Sequence, residues 1–150
     1  MMLALLLAGA LACPSAGLSV AVLGSGGPIA EGRAGPSYLV HVDGRPRLLI
    51  DAGPGTLLRL GEAGVAPESL DAIALSHLHV DHAGDLPAIL KSANFADPPA
   101  RITLFGPDGR GLFPGLRAHA EQLVGSRAGA YRYLADWLQG PAPRLAITEV

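Results

Sequence analysis

Four donor side chains fall within six residues in the stretch His77-Leu78-His79-Val80-Asp81-His82, directly behind the apolar run Ala72-Ile73-Ala74-Leu75. Imidazole nitrogens with a carboxylate oxygen are the donor set preferred by zinc and its first-row neighbours. Given the chain's histidine and aspartate content, the pattern arises by accident with a probability of roughly three in ten thousand, so it is not compositional noise. The run before it is short, apolar and bounded by polar residues, which reads as a buried strand. Ligands on the loop leaving such a strand have a rigid frame and stay reachable. His77 and His79, two apart in extended backbone, project to one side and can share one ion. Asp81 and His82 come after the chain turns and can face a second ion close to the first. A single four-ligand site fits less well, because adjacent Asp81 and His82 are hard to aim at one tetrahedral centre together with both other histidines. The bland alternative is a solvated polar loop.

At 150 residues the chain has one domain's worth of length and enough material for a core. Its 11 Lys and Arg are scattered and the formal net charge is -2, so no basic nucleic-acid patch is visible. That does not exclude a phosphodiester substrate, since an enzyme can take its positive charge from metals. With 20 Gly and 13 Pro, the composition suits a loop-rich α/β architecture better than a helical bundle.

Residues 1–16 read as a leader and residues 17–150 as the domain. Met1 to Ala12 contains no polar side chain and ends in Ala10-Leu11-Ala12 before Cys13 and Pro14, like the apolar region and small-residue cleavage site of a signal peptide. No Lys or Arg precedes it, and a buried N-terminal helix is the alternative. The run is too short to span a bilayer. Cys13 is the only cysteine, which rules out an intramolecular disulfide. Leu11-Ala12-Cys13 is similar to the end of a bacterial lipoprotein signal, although Ala10 stands where such signals usually carry Leu. The expected location is therefore exported, either periplasmic or held by a lipid anchor at Cys13, with the cytoplasm as the alternative.

Along the domain, Leu18 to Leu23 predicts a first strand and Gly24-Ser25-Gly26-Gly27-Pro28 a loop that approaches the active-site mouth closely. Ser37 to Val42 predicts a second strand, closed by the turn Asp43-Gly44-Arg45-Pro46. His41, alternating with apolar neighbours, reads as outward or satisfied rather than a ligand. Arg47 to Ile50 returns antiparallel and ends at Asp51-Ala52-Gly53-Pro54-Gly55. Asp51 is thus aimed beyond the sheet, able to hydrogen-bond a ligand or brace the metal loop, or simply to cap a turn. Thr56 is the expected cap of a helix over Leu57 to Ala63, stopped by Gly64. Asp85-Leu86-Pro87 opens a helix to about Asn94. Ile102 to Phe105 predicts a strand, Leu116 to Val124 a helix, Tyr131 to Leu138 a further amphipathic turn or two, and Leu145 to Val150 the start of another strand. His119 reads as a surface histidine, and Ser76 has no histidine and acid arranged to activate it as a nucleophile.

With these residues laid out, the chain resembles the N-terminal half of the metallo-β-lactamase fold superfamily. The resemblance rests on His77-Leu78-His79-Val80-Asp81-His82 and on the strand end Asp51-Ala52-Gly53. Within it, Gly24 to Pro28, Arg33-Ala34-Gly35-Pro36-Ser37, Asp51 to Thr56 and Ser76 to His79 look most like the ribonuclease Z, arylsulfatase and cyclic-phosphodiesterase branch. The resemblance implies an α/β (α+β) fold, the αβ/βα sandwich, here its N-terminal half plus the start of the next strand. It also implies two zinc ions, with Mn or Fe as alternatives. His77 and His79 match ligands of the first ion and Asp81 and His82 ligands of the second, Asp81 also serving as the catalytic group that orients water. The remaining ligands of that superfamily lie downstream of this motif and match no residue here.

The resemblance therefore implies a metal-dependent hydrolase acting on a small-molecule or phosphodiester substrate, a sulfate ester or another ester. β-Lactam or lactone hydrolysis is a further alternative. With two histidines alone the first ion falls short of the three protein ligands of a catalytic site. The chain is accordingly expected to be a fragment, inactive by itself, or a non-catalytic metal-binding remnant paired with another chain or with a second copy as a homodimer.

Overall fold

The computed structural model describes residues 17–150, so the leader reading of residues 1–16 and the anchor at Cys13 lie outside the described residues. Strands β1 (Leu18–Gly24), β2 (Ser37–Val42) and β3 (Arg45–Ile50) form an antiparallel meander. The β2–β3 turn is the two-residue Asp43-Gly44, with φ of 50° and 74°. That is the positive pair a tight hairpin of matching twist demands. β3 consequently begins at Arg45, inside the longer turn expected from sequence.

Three parallel strands come next, β4 (Ala72–Ala74), β5 (Ile102–Gly106) and β6 (Leu145–Glu149). All six lie in one sheet in chain order. Parallel neighbours require long crossovers. These carry helices α1 (Thr56–Glu62), α2 (Val80–Ala83), α3 (Leu86–Ala93) and α4 (Leu116–Val124). The segment expected to turn once or twice after Tyr131 is a 3-10 run, Arg132–Trp137, that buries Leu134 and Trp137.

Side-chain alternation divides the sheet into two unlike faces. One carries the cross-strand row Leu39, Leu49, Ile73 and Leu104. None of these is more than 1% exposed, and they share the core with Leu60, Leu86, Ile89 and Leu116 of the helices. The opposite face carries the row Val20, Val40, Leu48, Ala72 and Thr103. Toward β1 this face is open, with Val20 57% and Val22 63% exposed. The architecture is thus a mixed sheet with helices, as the expected α/β half-sandwich requires, and its second face is open toward β1 while Val40 on it is buried.

One capping expectation is corrected. Thr56 does not cap α1 but is its first residue, buried, with its hydroxyl donating to Gly53 O at 2.6 Å. The cap position belongs to Gly55, whose φ of 93° a β-branched residue would adopt only with strain. The Leu57 N–H is satisfied from elsewhere, by Asp85 Oδ2 at 3.0 Å. Asp85 therefore precedes α3 as expected while its carboxylate serves α1, tying the helix after β3 to the one after β4.

Candidate functional site

Because β3, β4 and β5 run parallel, their C-terminal ends open onto the same edge of the sheet, the place where open α/β sheets bind ligands. Asp51 lies just past β3, Ser76 past β4 and Pro107 past β5. The ladder continues beyond the strands, with Asp51 N–H to Ala74 O and Leu75 N–H to Phe105 O, both at 2.8 Å.

Asp51 is 4% exposed and has a φ of 59°, a left-handed conformation that Asp tolerates better than most residues. Its Oδ1 accepts the Ser76 N–H at 2.8 Å, and its Oδ2 accepts the Ser76 hydroxyl at 2.9 Å. The same Oδ2 lies 2.8 Å from His82 Nδ1. A carboxylate only accepts, so His82 carries its proton on Nδ1 and presents Nε2 as a lone pair. Ser76 Oγ, having given its proton to Asp51, is 3.1 Å from His77 Nδ1 and accepts there, which turns His77 Nε2 outward in the same sense. Asp51 thus ties Ser76 and His82 of the loop that carries the candidate donors, beyond what a turn-capping carboxylate alone would do. Ser76, for which the sequence shows no activating relay, links the carboxylate to the first histidine. A hydroxyl directly before that histidine is the sequence signal for this role.

The candidate donor atoms lie in pairs. His77 Nε2 and His79 Nδ1 are 2.9 Å apart, close enough for both to face one ion. His82 Nε2 lies 3.6 Å from Asp81 Oδ2. The His77 and His82 rings sit 4.0 Å apart, so the two pairs adjoin. Among the described residues no group of three or more His, Cys, Asp or Glu gathers as one metal site, and the donors come as two twos. Burial, then the nearby His82 and His79, hold the His77 pKa below the ordinary 6.5, against a smaller pull from Asp51 and Asp81. A neutral imidazole is the form that binds a metal.

The loop bearing these groups is tied down by backbone. Ala52 N–H donates to His82 O at 2.7 Å and Asp85 N–H to Ala52 O at 2.8 Å. Gly53 passes so close to α2 that a Cβ there would lie 2.2 Å from Asp81 O. The expectation for Gly24 to Pro28 divides. Gly24 and Gly26 press against the backbone of Ala34 and Gly35, whereas Gly27 and Pro28 reach a cavity of about 250 Å³ beside Asp81. A second cavity, about 300 Å³, opens on the His77 and His79 side against Arg110 and Phe113. A larger one, about 550 Å³ near Glu121 and Arg127, shares no residue with the donors.

The two other histidines stand apart from the donors. His41 is half-buried on β2 and pairs in register with Ser19 and Pro46. His119 is not the surface residue expected. It is half-buried on α4, its Nε2 is enclosed with no hydrogen-bond partner among the described residues, and burial lowers its pKa. The sequence around it, Ala118 and Ala120, could not reveal that it lines a cavity together with Leu78, Leu123 and Tyr131.

Known proteins are similar to this chain in sequence and in fold. Residues 30–142 match the family model of the metallo-beta-lactamase superfamily. Ribonuclease Z from Mycobacterium bovis is 42% identical over 96 residues, covering 61% of this chain and 34% of that protein. Ribonuclease Z from Mycobacterium marinum is 41% identical over the same length. The chain therefore spans about a third of the length of the curated relatives it matches. Among solved structures, the metallo-beta-lactamase fold protein YhfI from Bacillus subtilis superposes with a TM-score of 0.60 at 22% identity, over 89% of this chain and 45% of that one. The short form of human tRNase Z does so with a TM-score of 0.60 at 21% identity, over 87% and 44%. At those identities the likeness is one of fold.

Proposed function

The chain belongs to the metallo-beta-lactamase superfamily, and we propose that it carries part of the active site of a zinc-dependent phosphodiesterase of the ribonuclease Z kind. The observation that carries this reading is the Asp51–Ser76 bracket, which sets the tautomers of His82 and His77 so that their Nε2 atoms face outward as ligands. Carboxylate-backed histidines of this sort are how proteins orient a metal. The donor chemistry fits zinc, and Mn or Fe would accept the same set.

His77 and His79 would hold one ion, Asp81 and His82 a second. A bound divalent ion there would make water a nucleophile near neutral pH and draw charge from a phosphoryl oxygen. The chain's own groups supply the rest. Asp81 would accept a proton from the attacking water, and Asp51, hydrogen-bonded to Ser76 and His82, would keep both histidines turned. Sulfate-ester, lactone and β-lactam hydrolysis would use the same donors. The phosphodiester is favoured because the relatives at 41 to 42% identity are ribonucleases. RNA is then the leading substrate despite the scattered arginines.

The donor count favours a second reading for these residues taken alone. Four donors in two pairs fall short of a two-ion site, so turnover would need further ligands from more chain or from a partner. The open face around Val20 and Val22 is where a second layer would sit, a second copy being one source. Zinc analysis and phosphodiesterase assay of the full-length product, with His77→Ala and His79→Ala singly and together, test the proposal. Zinc and hydrolysis should fall together while the unfolding midpoint holds. Full zinc occupancy in the double variant would place the site elsewhere. Zinc retained by the wild type without hydrolysis of any ester would favour the metal-binding reading.

A further inference from the structure

The turn between β5 and α4 lies against the histidine pair. Arg110 and Phe113 face each other across this turn, with Arg110 N–H donating to Phe113 O at 3.1 Å and Phe113 N–H to Arg110 O at 3.0 Å. Residues directly opposite in such a pair point to the same side, and both line the 300 Å³ cavity with His77 and His79. Phe113 meets His79 nearly edge to face, with ring centroids 5.0 Å apart at 73°, and remains 49% exposed. The cavity wall is overwhelmingly apolar. Among the described residues no ion pair holds the Arg110 guanidinium, and Asp108 is the one carboxylate on the same wall.

Gly109 (φ 93°) and Gly111 (φ 61°) give the turn conformations other residues resist, and a Cβ on Gly109 would lie 2.4 Å from Gly115 N at the start of α4. The half-exposed phenyl ring stands beside the candidate donors, edge to face with His79. Burying that ring against a flat partner gains both apolar contact and stacking, whereas an aliphatic group gains only the first.

We propose that this cavity is a subsite for a planar aromatic group carried on the substrate's phosphodiester, stacked on Phe113, with Arg110 at its rim to meet an adjoining phosphate oxygen. The proposal rests on the paired donors serving a phosphodiester. The aromatic group has two sources, a nucleobase or the aryl arm of a small phosphodiester.

The test measures affinities of the zinc-supplied full chain for thymidylyl-thymidine, diphenyl phosphate and dimethyl phosphate, with zinc content read in the same samples. Phe113→Ala should weaken an aromatic probe about tenfold, the loss of one stack, and leave dimethyl phosphate unchanged. Phe113→Tyr should restore affinity and Phe113→Leu should not, which separates stacking from a bulk role in shaping the turn. Arg110→Gln should weaken all three probes and reduce the salt dependence of binding. Loss confined to diphenyl phosphate would identify an aryl pocket, and loss that includes the dinucleotide a nucleobase pocket. The proposal is overturned if Phe113→Ala leaves both aromatic probes within twofold of wild type, or if neither binds more tightly than dimethyl phosphate. Phe113-dependent binding without zinc would sink the metal reading alone, and zinc binding without Phe113 dependence would sink the aromatic subsite alone.

Discussion

Asp51 and His82 meet at 2.8 Å although they lie beyond different strands, and the contact exists because β3 and β4 end side by side in parallel register. The carboxylate is nearly buried, the imidazole only partly so. That asymmetry makes Asp51 the fixed partner and His82 the oriented one.

Replacing Asp51 by Asn keeps its shape but places an amide where an acceptor is needed for both Ser76 Oγ and His82 Nδ1. Zinc affinity should fall about 10- to 100-fold, the usual cost of losing such a bracing group. Asp51→Ala should in addition destabilise the fold by about 1 to 3 kcal/mol, because the Ser76 N–H loses its acceptor. Chelator competition and urea unfolding measure the two effects. Unchanged zinc affinity in Asp51→Asn would reduce Asp51 to a turn residue.

Gly53 and Gly61 should respond oppositely to alanine. A Cβ on Gly53 would lie 2.2 Å from Asp81 O and 2.7 Å from Gly35 C, so Gly53→Ala should cost about 1 to 3 kcal/mol and push α2 out of place. Gly61, in α1, has nothing within 4 Å of an added Cβ, and Gly61→Ala should stabilise by up to about 1 kcal/mol. Thermal unfolding with metal titration checks both. Equal effects at the two positions would mean that the close approach of Gly53 to α2 is not what holds the metal loop.

His119 makes stability depend on pH. Its folded pKa is depressed below 6.5 by burial, so the unfolded chain binds that proton more readily. The contribution of the neutral ring is present above pH 6.5 and is lost as pH falls from there through the depressed folded value. His119→Phe should flatten that loss and, by removing an enclosed unpartnered nitrogen, add about 1 kcal/mol near pH 7.5. Urea titrations at pH 7.5 and 5.5 compare the variants, and parallel pH slopes would contradict the assignment.

The leader expected over Met1 to Ala12 bears on the substrate. If it directs export, N-terminal sequencing of the mature protein should start at or after Cys13 in an extracytoplasmic fraction, and a cellular transfer-RNA substrate is disfavoured. Recovery of cytoplasmic protein still beginning at Met1 would reverse both conclusions.

The sequence by itself determined what depends on near neighbours. The strand Ser37 to Val42, a turn opening at Asp43-Gly44 and the start of α3 after Asp85 are set by residues a few positions apart and appear as expected, apart from the turn ending two residues sooner. The spacing of His77, His79, Asp81 and His82 likewise paired the donors, since extended backbone and then a turn leave few other arrangements. Only the tertiary structure decided which way those rings face. Asp51 is 25 residues from Ser76 and 31 from His82, and no local pattern states that a parallel register will stop both strands level. Phe113 against His79 and Asp85 at the start of α1 are likewise contacts between residues far apart in the chain. His119 shows the limit from the other side. Its neighbours in sequence are small and uninformative, and only the fold encloses its Nε2 and sets it on a cavity shared with Leu78 and Tyr131. Hydrogen-bond direction and burial are properties of atoms brought together by packing, and a linear pattern records them only when the partners are also neighbours along the chain.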